Sequence, residues 1–424
     1  MKERKGFLYV LFSLIFATLA CQIPMCTDGS DEEPAIPVLA SATEALDQSS
    51  IEDSASPTAD IGEMPIETPT STATEAVHVE LPVYVSPKLS SLLMFTDTRG
   101  WALADQKDVI LLTVDGGETW LNATPKELDL APASPILGID AFFLDETTAW
   151  FTPNISGTSW LYQTQDSGQS WEKTSIPFEN ASYFFRNIED GYALVDLGAG
   201  AGSHYVALYR TNDGGQTWLE VFSHEPGESK SLPEGGSKKG ITFLNGDRGW
   251  IGGNRPMTDD FYLFVTNDGG RTWDQDVDIA LPDIYSGSML DVWQPFFLNN
   301  TTGYLPVKAL TSSGDLYMMI YRTDDAGKTW TYQNSIKDGR WVDFTSVWEG
   351  WAVAEDALYQ TNDGGQTWSL AVTSGIPAGE FFLGIEFVDD QYGWAVTSPD
   401  DSTWDPRKLY HTVDGGVTWA LLLP

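Results

Sequence analysis

One eight-residue turn, T-x-D-x-G-x-x-W, occurs seven times at intervals of 38 to 57 residues, and it limits the possible folds more than anything else in the chain. The copies are Thr113-Asp115-Gly117-Trp120, Thr164-Asp166-Gly168-Trp171, Thr211-Asp213-Gly215-Trp218 and Thr266-Asp268-Gly270-Trp273. Thr323-Asp325-Gly327-Trp330, Thr361-Asp363-Gly365-Trp368 and Thr412-Asp414-Gly416-Trp419 complete the set. Self-similarity at such a period means that one supersecondary unit is repeated, and that each unit buries its faces against its neighbours.

The residue types explain the turn. An Asp carboxylate in a tight hairpin accepts backbone N–H groups that would otherwise lack partners, and Gly supplies a positive φ that a Cβ would oppose. Thr adds a hydroxyl, and Trp folds back as an apolar cover. Each turn offers one carboxylate where calcium needs six to eight oxygens, so the acids are read as structural and not as metal ligands.

A second motif runs in phase with the first. Phe143, Phe185, Phe243, Phe297, Phe344 and Phe387 each precede Trp or Tyr by seven positions, at Trp150, Tyr192, Trp250, Tyr304, Trp351 and Trp394; Phe95 and Trp101 are one residue closer. Gly stands before that aromatic except at Ala149. Phe reads as the end of an inner strand and Gly-Trp as the start of the second, with the Asp turn joining the third strand to the fourth. Four short strands in each of seven repeats predict an all-β, seven-bladed propeller of antiparallel blades, a closed ring that leaves no sheet face exposed. The expected blades are 89–124, 137–175, 181–222, 239–277, 289–334, 339–372 and 381–424, within a domain spanning 81–424. Residues 77–85 are expected to pair with an outer strand and lock the ring.

The eight-residue turn resembles the Asp box, also called the bacterial neuraminidase repeat. Together with F-x-D-x-x-x-x-G-W, it resembles the seven-bladed propellers of the photosystem II assembly and stability factor family over about 89–424. That resemblance implies a propeller and protein binding during assembly of a membrane complex. The shared residues build turns and blade contacts, so they specify fold far more than function.

Lys2, Arg4 and Lys5 followed by an apolar run over 6–20 read as a signal peptide, 1–20. Thr18-Leu19-Ala20-Cys21 resembles the lipobox of bacterial lipoproteins, with Leu two positions before the cysteine instead of three. Cys21 is therefore the expected lipid attachment, placing the chain in the bacterial cell envelope, extracytoplasmic and anchored to a membrane. Residues 21–80 are acidic and rich in Ser, Thr and Pro, and read as a disordered linker. The only other cysteine is Cys26, so the body carries no disulfide.

The formal net charge is −38, and 88–424 alone holds 47 acidic against 20 basic residues, or −27. Such a surface repels phosphate backbones, which excludes nucleic acid. Lys230, Lys238 and Lys239 read as a solvated loop. His78, His204, His224 and His411 are widely spaced, so neither a histidine metal site nor a histidine triad is expected, and no cofactor is expected either.

Asp boxes also occur in sialidases, but the Arg-Ile-Pro motif of that group is absent. A two-carboxylate glycoside hydrolase, or a carbohydrate-binding protein, is the alternative, with Asp140, Asp291, Asp343 and Glu386 on or beside inner strands as its acids. The leading expectation is a non-catalytic, monomeric body that binds a protein, or a glycan, of the envelope. The Asp turns and the turns before Gly-Trp share one rim. The opposite rim carries longer, dissimilar connections at 125–136, 223–240, 254–260, 278–289, 308–315 and 398–406, where specificity is usually placed. Asp291, Trp293, Trp341, Asp343, Glu386 and Trp404 are the expected contacts on this second rim and its channel mouth.

Overall fold

The structure is a computed structural model that describes residues 80–424 apart from 105–107, 130–138, 155–158, 201, 225–230, 256–257, 276–278 and 401. The signal peptide, Cys21 and the linker up to residue 79 lie outside the described residues. Seven antiparallel sheets follow one another along the chain, each a simple meander, and form the blades of a β-propeller. The inner strands are Leu89–Met94, Ile139–Phe143, Ala181–Phe185, Ser237–Phe243, Met289–Val292 with Phe296–Phe297, Gly339–Phe344 and Phe381–Phe387. Six of the seven expected Phe positions end these strands, and Phe95 follows its strand directly. The second strands start at Gly100, Ala149, Gly191, Gly249, Gly303, Gly350 and Gly393, as the second motif predicts.

The Asp turns work as a hydrogen-bond circuit. In the third copy Thr211 Oγ1 donates to Asp213 Oδ1 at 2.8 Å, the Gly215 N–H donates to Thr211 Oγ1 at 2.9 Å, and the Thr217 N–H donates to Asp213 Oδ1 at 2.9 Å. The Thr217 hydroxyl donates to the other carboxylate oxygen. The other six copies repeat these bonds, with Ser170 replacing the last threonine in the second. Burial raises the pKa of each aspartate, but the combined hydrogen bonds outweigh it and hold the group below the usual range. The hydroxyl residue before each Trp thus shares the carboxylate, a role the sequence reading did not give it.

Each Asp turn is also tied to the turn between strands one and two of its own blade. Gly116, Ser167, Gly214, Gly269, Ala326, Gly364 and Gly415 donate their N–H to the carbonyls of Thr98, Thr147, Glu189, Asp247, Thr301, Trp348 and Gln391, at 2.8 to 3.0 Å. Both sets of turns therefore share one rim.

Blades join through the aromatic at the start of each second strand. At four of the joints it stacks closely on the Phe of the next blade, at 3.8 Å between ring centres for Trp150–Phe185, 3.5 Å for Tyr192–Phe243, 3.7 Å for Tyr304–Phe344 and 4.0 Å for Trp351–Phe387. This stacking explains the in-phase repeat, each pair adding ~0.5–1.5 kcal/mol beyond area burial. The preceding glycine gives its own blade's Phe ring room: a Cβ on Gly191 would lie 2.4 Å from Phe185. The polar tip of the aromatic then reaches the next blade's turns, as when Trp150 Nε1 donates to Gly214 O at 2.8 Å.

The segment before the first blade does pair with an outer strand, that of blade one. Val83 bridges Leu121, and the Tyr84 N–H donates to Trp120 O at 2.7 Å. Closure itself is made by side chains of blades one and seven, where Leu89, Met94, Leu111 and Trp120 pack with Trp394 and Leu409.

Candidate functional site

Five inner strands depart from regular pairing near the second rim, and they belong to consecutive blades: four, five, six, seven and one. Lys239 is the extra residue between Lys238↔Gly253 and Gly240↔Gly252, and Arg340 is extra between Gly339↔Ala354 and Trp341↔Val353. Leu383 and Ser90 hold the same place in blades seven and one. In blade five the inner strand breaks at Trp293-Gln294-Pro295, where four steps from Val292 to Phe296 face three from Val307 to Tyr304. Pro295 has no N–H to donate, but the Trp293 N–H still reaches Pro306 O at 3.1 Å. Among the described residues, the inner strands of blades two and three show no such shift. A bulge re-aims a side chain, and bulges concentrate beside functional sites.

Part of this arc is apolar. A recess of about 510 Å³, its open mouth included, is lined by Ser90, Leu92, Trp341, Leu383, Glu386 and Arg407, among others. Arg407 fixes one side, donating from Nη1 to Leu89 O at 2.8 Å.

The other part is cationic. Lys239 Nζ lies 2.7 Å from Asp291 Oδ1. Lys308 is paired in register with Asp291, and its Nζ sits 4.9 Å from the centre of the Trp293 ring. Burial pushes the Lys308 ammonium down to about 8; Asp291 opposes that shift, and Lys239 and Arg340 add to it. Trp293 and Trp341 lie 5.5 Å apart.

The expected contacts divide. Asp291, Trp293 and Trp341 come together in the arc, and Trp404 stands half-buried in the loop after the second strand of blade seven, its N–H bonded to Asp400 O at 3.0 Å. Asp343 and Glu386 were expected on the second rim and its channel mouth but lie near the opposite ends of their strands, one residue before the terminal Phe, from where Glu386 still lines the recess. Asp343 is 2% exposed, and its Oδ2 accepts the Phe387 N–H at 2.7 Å. Glu386 is 8% exposed and accepts the Met94 N–H. Both carboxylates thus occupy backbone donors on the inner edge of the next blade. Burial holds the Glu386 carboxyl well above the usual range, and the neighbouring Asp343 adds to the shift. Asp140 pairs with Asn154 Nδ2 at 3.2 Å.

Two lysines read as a solvated loop are parts of the inner strand of blade four. Lys238 is buried and donates to the carbonyls of His204, Pro233 and Glu234, and Lys239 belongs to the cationic arc. Lys308 and Arg340 went unrecognised because their grouping depends on bulges, which leave no periodic trace. Among the described residues, no group of three or more His, Cys, Asp and Glu is placed to hold a metal ion.

No family model matches the chain. Over 287 residues it is 22% identical to the xyloglucanase Xgh74A of Acetivibrio thermocellus, covering 59% of this chain and 33% of that protein. Over 360 residues it is 24% identical to a xyloglucanase of a Paenibacillus species, covering 77% and 29%. The chain thus spans about a third of the length of these curated relatives. Among solved structures it is similar to YCF48 bound to D1 peptide, at 16% identity, with 79% of this chain and 95% of that one covered and a TM-score of 0.48.

Proposed function

We propose that the chain is a binding module of the bacterial cell envelope, held to a membrane by lipid on Cys21, that engages its partner across the second rim and the adjoining channel mouth. The observation that carries this reading is the arc of five consecutive bulged inner strands at that mouth. The opposite rim is built from seven near-identical turns whose polar groups bond to one another, so it serves the scaffold. The four candidate acids are engaged by Asn154, Lys239 and the N–H groups of Phe387 and Met94, which favours binding over catalysis. The partner is an envelope component, and the acidic body excludes nucleic acid.

The test compares capture from envelope extracts by wild type, Trp404→Ser on the second rim and Trp348→Ser on the turn rim. The reading expects at least a tenfold loss for Trp404→Ser alone. An equal loss for Trp348→Ser, with melting unchanged, would overturn it. For the anchor, Cys21→Ser should move the protein from the membrane to the soluble fraction; retention at the membrane contradicts it.

One observation favours a second reading. Glu386 lines an open recess, burial and then the neighbouring Asp343 hold its carboxyl above the usual range, and an acid with a raised pKa beside a second carboxylate is the pair that glycoside hydrolysis uses. Curated relatives named xyloglucanases add to it. Release of reducing ends from xyloglucan, abolished by Glu386→Gln, would replace binding with hydrolysis.

A further inference from the structure

The second-rim mouth concentrates positive charge in a body of net charge −27. Lys239, Lys308 and Arg340 come from three consecutive blades; Lys239 and Lys308 lie against Asp291, and Arg340 adds its charge beside Lys308, so among these four groups positive charge exceeds negative by two. Arg340 Nη1 is buried and has no acceptor among the described residues. An unpaired guanidinium donor away from water is costly, and a second anion would relieve both the missing acceptor and the excess charge. Lys239 and Arg340 are themselves bulge residues, so the backbone distortions supply two of the three cations.

The cations adjoin tryptophan. Trp293 and Trp341 are half-buried and 5.5 Å apart, and Trp341 continues into the apolar recess. An indole face packs against the C–H face of a sugar ring, while Arg holds a carboxylate with paired N–H groups.

An extended peptide fits less well. It would pair along a regular run of backbone donors and acceptors, and at this mouth the bulges interrupt the regular pairing of the inner strands. The body's acidic field also disfavours dense polyanions, and it is screened beyond ~8 Å at physiological salt, so the cluster suits carboxylates spaced along an otherwise neutral ligand.

We infer that Lys239, Lys308 and Arg340, with Trp293 and Trp341, form a binding site for a uronic acid residue of a polysaccharide. This rests on the binding reading above and names its ligand class.

The experiment is calorimetric titration of the full chain with a galacturonic acid trisaccharide, a neutral galactose trisaccharide and a glutamate-containing hexapeptide. The acidic sugar should bind at least tenfold more tightly than either of the others. Arg340→Met and Lys308→Met should each weaken it at least tenfold without lowering the melting temperature. If either variant misfolds, the comparison of acidic and neutral sugars on wild type still decides. Equal binding of the neutral sugar, tighter binding of the peptide, no sugar binding, or folded variants that bind normally would each overturn the inference. If the sugars fail while Trp404→Ser still loses envelope capture, this assignment falls and the binding reading stands. If capture ignores the second rim, the binding reading falls.

Discussion

The indole of Trp394, in the last blade, donates its Nε1 hydrogen to the carbonyl oxygen of Gly116, in the first, at 2.7 Å across 278 positions of sequence. Trp394 is fully buried, and among the described residues no strand is shared between these two blades, so this packing closes the ring. Trp394→Ala should therefore cost roughly 3–5 kcal/mol in chemical denaturation. Trp348→Ala, at a residue 54% exposed, should stay within about 0.5 kcal/mol.

The same clasp is built differently between blades four and five. Trp250 is fully buried, but its Nε1 has no partner among the described residues. Arg248 bonds instead to Ala326 O at 3.0 Å and to Gly327 O at 2.7 Å. Trp150→Phe, which strands the Gly214 carbonyl, should then destabilise by about 1–3 kcal/mol more than Trp250→Phe. Equal losses in the two denaturation curves would contradict the substitution of arginine for indole at this joint.

The Asp turns predict an acid limb of stability. Their folded pKa values are lowered, so their contribution is present above the unfolded value of 3.8 and disappears as pH falls through the folded values, which reach about 2 at Asp325. Asp213→Ala should cost about 1–2 kcal/mol at neutral pH, by analogy with a lost capping carboxylate. That cost should shrink as pH falls below the unfolded value of 3.8 and through the lowered folded one. A cost independent of pH would show that the carboxylate charge is irrelevant to the turn.

Glu386 has the opposite sign. Its folded pKa is raised, so the native state binds the proton more tightly than the unfolded chain does. Its stabilising effect is complete below the unfolded value of 4.5 and is lost as pH rises through the folded one. Glu386→Gln should flatten this loss and melt higher than wild type at pH 8. A variant no more stable than wild type at pH 8 would contradict a raised Glu386 pKa.

The propeller was legible because each blade repeats its turn chemistry and its aromatic spacing, and both are local. Inner strands began within two residues of the expected blade starts, and Phe143, Phe185 and Phe243 ended theirs as read. The site was less legible because it depends on single inserted residues. Lys239 and Arg340 acquire their direction from bulges, and a bulge depends on the partner strand, which sequence spacing alone does not reveal. Asp343 and Glu386 were placed on the correct strands but at the wrong end. Their position one residue before Phe344 and Phe387 was the available signal, since that Phe marks the turn rim.

Which rim meets the partner is the central claim, and a photo-crosslinking amino acid tests it in intact cells. Placed at residue 404, on the second rim, it should trap a specific envelope adduct; placed at residue 348, on the turn rim, it should trap none. Adducts from 348 with none from 404, in proteins of equal abundance and melting temperature, would contradict the account.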